Sequence, residues 1–238
     1  MRQKNIIRIF SEPHELSILD RARYIVNNQS AISNYLGKFA WFLPDKTPVS
    51  LASKNELIQL FLDGIRKRIR RHTVLEEIPD DFFDNTSTVD GFYYSNKFDD
   101  ETSFIYEVGG LIDGDNTESS LLIKNYSAME HLTDFDSLRS FILMLVDLFD
   151  PSSIEVSEYS FYRGLMDLES DEYWFGWVSY FSKNIKLPQV PDEIMIERLP
   201  NGGKLLITTY ETFNCSNSSH VRKAKLLVDL FRKENIKM

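Results

Sequence analysis

Residues 173–213 read YWFGWVSYFSKNIKLPQVPDEIMIERLPNGGKLLITTYETF, a segment that fits three strands: 173–181, 193–199 and 204–213. In the first, bulky residues occupy positions of both parities, with Trp174, Trp177, Tyr180 and Phe181 close together. A strand covered on both faces is therefore expected. Gly176 interrupts it, and a glycine inside a strand marks a bulge or the close approach of another backbone or ring. Its candidate neighbours are the flanking indoles, Trp174 and Trp177, and the cluster as a whole reads as core. Between the second and third strands, Pro200-Asn201-Gly202-Gly203 supplies residues that tolerate positive φ between two apolar runs, which predicts a tight hairpin. Gly203-Lys204 does not make a phosphate loop, because Arg198 stands where the earlier glycine is needed and Leu205 where Ser or Thr is needed.

The chain has 238 residues, of which 42% are hydrophobic and 26% charged. That composition suits an ordinary globular chain, read as a single domain over 1–238 or as two closely packed halves, 1–126 and 127–238. The N-terminus lacks the apolar run of a signal peptide, and no run is long enough to span a membrane, so neither export nor a membrane partner is expected. Cys215 is the single cysteine. It cannot form an internal disulfide, and a cytoplasmic protein is expected.

Charge is unevenly distributed along the chain. Residues 1–75 hold 13 Lys/Arg against 6 Asp/Glu, whereas residues 76–118 hold 13 acids against the lone Lys97; the formal net charge is −9. The acidic segment repels nucleic acid and steers a basic partner towards its face. It carries Asp80, Asp81, Asp84, Asp90, Asp99, Asp100, Asp113, Asp115 and Glu118, the residues expected to meet such a partner. A solvated acidic edge is the plainer alternative.

Four helices are expected. The first starts at Ser11 and Pro13 and carries Leu16, Leu19, Ala22, Val26 and Ile32; residues 34–43 then change character to strand. A second is capped by Ser53, its apolar stripe running Leu57, Ile58, Phe61, Leu62, Ile65 and Ile69. Its far end carries Arg66, Lys67, Arg68, Arg70 and Arg71. That run supports a rival reading, a small regulatory or nucleic-acid-binding protein, although Lys and Arg also favour helix C-termini through the macrodipole. A meander of strands, GFYYSNKF, SFIYEVGGLI and SLLIKNY, precedes a third helix opened by Thr133 or Asp134 and closed by Asp150-Pro151. The last helix runs from about Ser218 to Glu234 with Val221, Ala224, Leu227, Val228 and Phe231 inward.

Catalytic signatures are missing. His14, His72, His131 and His220 lack metal-ligand spacing, no serine sits in a glycine-flanked turn, and no dinucleotide fingerprint follows a strand. The turn at 113–118 fails the spacing of a calcium loop. A non-enzymatic protein without metal or cofactor is expected.

In the order of its elements the chain resembles the immunity protein 52 family of bacterial polymorphic toxin systems. The residues that carry the likeness are Trp41, the glycine-ended strand IYEVGG with Gly109, the helix SLRSFILMLVDLFDP, the stretch Gly176-Trp177 with Tyr180, the Leu187-Pro188 link and the Gly202-Gly203 hairpin. The resemblance implies an α+β fold with a central, mainly antiparallel sheet. It also implies a role in interbacterial competition and type VI secretion: binding and neutralising a cognate toxin, usually a restriction-endonuclease-like nuclease. The interface residues do not carry over from the family.

Overall fold

In chain order the strands are β1 (Asn5–Ser11), β2 (Trp41–Phe42), β3 (Pro48–Val49), β4 (Asp90–Asn96), β5 (Asp99–Val108), β6 (Leu111–Ile112), β7 (Asp115–Asn116), β8 (Ser119–Lys124), β9 (Ser153–Glu158), β10 (Val178–Phe181), β11 (Met195–Arg198) and β12 (Lys204–Ile207). The helices are α1 (Ile18–Leu36), α2 (Phe135–Phe149) and α3 (Ser218–Lys233). These come from a computed structural model that describes residues 5–11, 18–36, 41–42, 48–49, 55, 58–59, 62, 90–96, 99–108, 111–112, 115–116, 119–124, 132, 134–158, 161 and 173–236. The chain divides into two compact units, Met1–Ser11 with Leu122–Met238, and Glu12–Leu121.

The larger unit is built on five antiparallel strands in the order β11-β12-β10-β9-β1. Register fixes which side chains share a face, because directly paired residues point the same way and neighbours alternate. Ile7 and Ile9 of β1, Ile154 and Val156 of β9, Val178 and Tyr180 of β10 and Leu205 and Ile207 of β12 form one continuous apolar face. On that side lies α2, whose Arg139 bonds Glu197, the residue paired with Leu205. The helix buries Leu138, Phe141, Ile142, Leu145, Val146 and Phe149, a stripe at helical spacing. Asp134 caps it, accepting the Ser137 N–H at 2.9 Å, and Asp150 ends it in the left-handed conformation at φ 41°.

The opposite face has two characters. At β10 and β12, Phe181 and Leu206 meet Tyr173, Phe175 and the α3 residues Leu227, Val228 and Phe231 in one aromatic core cluster. Edge-on ring pairs hold it, with Phe175 and Phe231 centroids 4.6 Å apart and Tyr173 and Phe181 5.1 Å apart. At β9 and β1 the same face carries a buried polar group, Ser153, Glu155 and Ser157 beside Arg8, between Ile6 and Phe10. The Arg8 and Glu155 side chains are 7% and 0% exposed and lie 2.7 Å apart. Glu155 also accepts the Trp174 backbone N–H at 3.0 Å, while the Arg8 guanidinium lies 3.7 Å from the Trp174 ring and 4.4 Å from the Phe10 ring. Stacking on two aromatic faces and bonding a carboxylate together offset the desolvation of a buried cation.

In the smaller unit, β3, β2, β4 and β5 pair antiparallel in that order, with an irregularity at Ser95 and Asn96. Leu111–Ile112 pairs antiparallel with Asp115–Asn116 in a separate two-stranded sheet, within the stretch 113–118 expected to be a turn. Val26, Asn28 and Ile32 of α1 are buried.

The α+β class and mainly antiparallel pairing agree with the sequence reading. Three helices are described rather than four; of the one expected after Ser53, positions 55, 58, 59 and 62 are described and helical, with Leu62 buried. Residues 34–36, expected to be strand, continue α1. Strand β9 was not expected at all.

Candidate functional site

The residues expected to serve the fold at the glycine-tryptophan stretch gather in one place. Trp177 is 1% exposed, its Nε1 donating to Thr209 O at 3.0 Å and its backbone N–H to Val156 O at 2.7 Å. Gly176 is required by close approach, but not to an indole: a Cβ there would lie 2.6 Å from Ser157 Cα, on the strand the sequence concealed. Tyr180 is where a ring meets a glycine, since a Cβ at Gly203 would come within 2.5 Å of Tyr180 Cε2. Burial pushes the Tyr180 hydroxyl up in pKa, against the opposing effect of the Asn201 Nδ2 hydrogen bond at 3.2 Å. Asn201 also accepts the Gly203 N–H at 2.9 Å, and Gly202 takes φ 85° after a turn closed by its N–H to Leu199 O. The β11–β12 hairpin is thereby latched to β10 by one side chain.

The third strand is shorter than predicted because two threonines end it. Thr208 Oγ1 donates to Gly176 O at 2.7 Å, and Thr209 Oγ1 accepts the Glu211 N–H at 3.1 Å. Residues 209–217 therefore leave the sheet as a pinned loop. Glu158 holds the far part of that loop, accepting the Cys215 N–H at 2.7 Å and lying 3.2 Å from its Sγ. Asn214 N–H donates to His220 Nδ1 at 3.2 Å, which leaves Nε2 facing Glu211 Oε2 at 3.6 Å. Phe213 is buried against Phe161 and the His220 ring.

This pinning sets Tyr210 outward. Tyr210 is 58% exposed and Ile196 47%, the two large apolar side chains that stand out among the described residues. The Tyr210 ring abuts Phe135, the first residue of α2, at 4.8 Å and 88°. One turn further along α2, Arg139 Nε bonds Glu197 Oε2 at 2.9 Å, with a further contact through its Nη2. This fork holds Glu197 below the usual carboxylate range and raises Arg139. Exposed carboxylates at Asp134, Asp136 and Glu211 border the same surface.

Of the acidic residues expected to face a partner, Asp80, Asp81, Asp84, Asp113 and Glu118 lie outside the described residues, as does Gly109. Asp90 pairs with Val108, Asp99 with Asn96, and Asp115 with Ile112, while Asp100 follows Asp99 in β5. Trp41 pairs with Val49 and Asn96. The Tyr210 surface is not legible where residues 204–213 read as one strand; the signal that marks it is Thr208-Thr209, whose hydroxyls compete with a ladder. Among the described residues, no group of three or more His, Cys, Asp or Glu could hold a metal ion, and no helix is long and apolar enough to cross a membrane.

Over residues 94–234, from the end of β4 through α3, the sequence matches the family described as Immunity protein 52. The chain belongs to that family. The matched residues include the whole glycine-tryptophan stretch, the β11–β12 hairpin and the Tyr210 loop. The fold is also similar to that of a Pseudomonas aeruginosa T6SS protein, at a TM-score of 0.53 and 7% sequence identity, covering 96% of this chain and 74% of that one. No curated protein matches this Immunity protein 52 member.

Proposed function

We propose that the chain, acting over 1–238 as one immunity-type domain, binds a cognate bacterial toxin and neutralises it in the cytoplasm of the cell that makes it. The family match over residues 94–234 carries this reading. The fold shared with a type VI secretion protein is consistent with a setting of competition between bacteria. We further propose that the toxin is a nuclease. A nuclease needs a basic groove for phosphates, and a chain of net charge −9 with 13 acids in residues 76–118 can present carboxylates to such a groove. Asp80, Asp81, Asp84, Asp90, Asp99, Asp100, Asp113, Asp115 and Glu118 are the residues proposed to draw it in.

Co-expression tests the reading. The toxin domain encoded beside this chain's gene should stop growth when produced alone and should be tolerated when the chain is co-produced, with the two eluting together from a sizing column. Growth arrest that persists beside well-folded chain would sink the immunity role. A neutralised toxin that leaves DNA and RNA intact while killing would remove the nuclease assignment only.

A further inference from the structure

We infer that the surface around Tyr210 docks a protein that offers an apolar notch bordered by Lys or Arg, with the Tyr210 ring as the inserted side chain. The inference rests on the immunity reading, which makes that protein the toxin.

Both of these exposed apolar residues lie in the larger unit, but they differ in how they are held. Ile196 sits on edge strand β11, on the face it shares with Leu206 and the α3 cluster. Tyr210 lies outside any strand on a loop fixed from beneath: Thr209 O accepts the Trp177 indole, Thr208 Oγ1 bonds Gly176 O, and Lys223 Nζ donates to Thr208 O at 3.0 Å. Phe135 braces the ring edge-on. A large aromatic held rigidly and more than half exposed loses little conformational freedom on binding, the property of an interface anchor. Beside it the Arg139–Glu197 fork is already satisfied and close to neutral, so a partner can cover it without stranding a charge.

The border selects the partner. Asp134, Asp136 and Glu211 flank Phe135 and Tyr210 in sequence and are exposed, whereas the nearby cation Lys223 is engaged with Thr208 O. Tyrosine and arginine at the centre with carboxylates at the rim complement a basic face.

The test measures binding kinetics of the purified toxin domain encoded beside the gene to wild-type chain, Tyr210→Ala, Tyr210→Arg, Ile196→Ala and an Asp134→Asn, Asp136→Asn, Glu211→Gln triple variant. Circular dichroism monitors folding. Tyr210→Ala is expected to weaken binding about 30-fold or more, mainly through faster dissociation. Tyr210→Arg, which keeps a long side chain over Phe135, should weaken it further; the triple variant should slow association in low salt, and Ile196→Ala should leave both rates unchanged. Wild-type binding by both Tyr210 variants would overturn the inference and leave the immunity reading standing. Self-association of the chain that Tyr210→Ala abolishes would assign the surface to a second copy and overturn it too. A wild-type chain that neither binds nor protects against the toxin defeats the immunity reading, and the inference with it.

Discussion

A tryptophan beside a glycine invites a binding role, yet Trp177 is enclosed and its one polar atom is satisfied by Thr209 O. Trp177→Ala should therefore destabilise by roughly 3 to 5 kcal/mol, as large-to-small core changes do, and urea unfolding monitored by circular dichroism measures it. A variant that keeps the wild-type midpoint while losing the toxin would make Trp177 a contact residue. The role of Gly176 was half legible in advance. A glycine within an aromatic run announces close approach, but the approaching group, Ser157, lies nineteen positions away on a strand whose pairing is set by β1 and β10. The ring that does crowd a glycine is Tyr180, across the hairpin at Gly203. Local sequence shows that space is needed and not what fills it.

Elements with apolar periodicity or turn residues are legible in the sequence, whereas β9, which buries its polar groups, is not. Helices α2 and α3 and the β11–β12 hairpin emerged from apolar periodicity and turn residues. Strand β9, SIEVSE, hid because its alternating serines and glutamates resemble a solvent face, whereas all six of its residues are buried. What makes that burial tolerable is Arg8, far away in sequence. Arg8→Met alone should cost about 3 to 5 kcal/mol by leaving Glu155 buried without its cation, and adding Glu155→Gln should recover part of the loss, a comparison that denaturant titration reads directly. Equal stability of single and double variants would show that the pair does not act as a unit. The fork on α2 gives a weaker, pH-dependent effect. Arg139 depresses the Glu197 carboxyl below its ordinary value of 4.5, so its contribution is complete above that value and lost as pH falls through the lower folded value. Both side chains are about one-third exposed, which limits the effect to about 0 to 1 kcal/mol. Thermal melts of Glu197→Gln should lie below wild type near pH 6 and converge with it in acid; a constant gap would contradict this.

For the whole molecule, the charge of residues 76–118 is expected to set how fast a partner arrives rather than how stable the fold is. Replacing Asp80, Asp81 and Asp84 by Asn, or Asp113 and Asp115 by Asn with Glu118 by Gln, is expected to leave the melting temperature close to wild type. Either set should slow toxin association, with the difference shrinking as salt shortens the Debye length from about 8 Å at physiological ionic strength. Wild-type association rates in low salt for both sets would reduce the acidic segment to a solvated edge. Asn5 lies opposite Glu158 and Phe10 opposite Ser153, so β1 leaves the ribosome well before β9, the strand it pairs with. At about 5 to 20 residues per second, β1 waits on the order of ten seconds for β9, and longer for β10 and β12 beyond it. During that interval Ile6, Ile7 and Ile9 are apolar chain without their partners on β9, a window in which chaperone capture competes with folding.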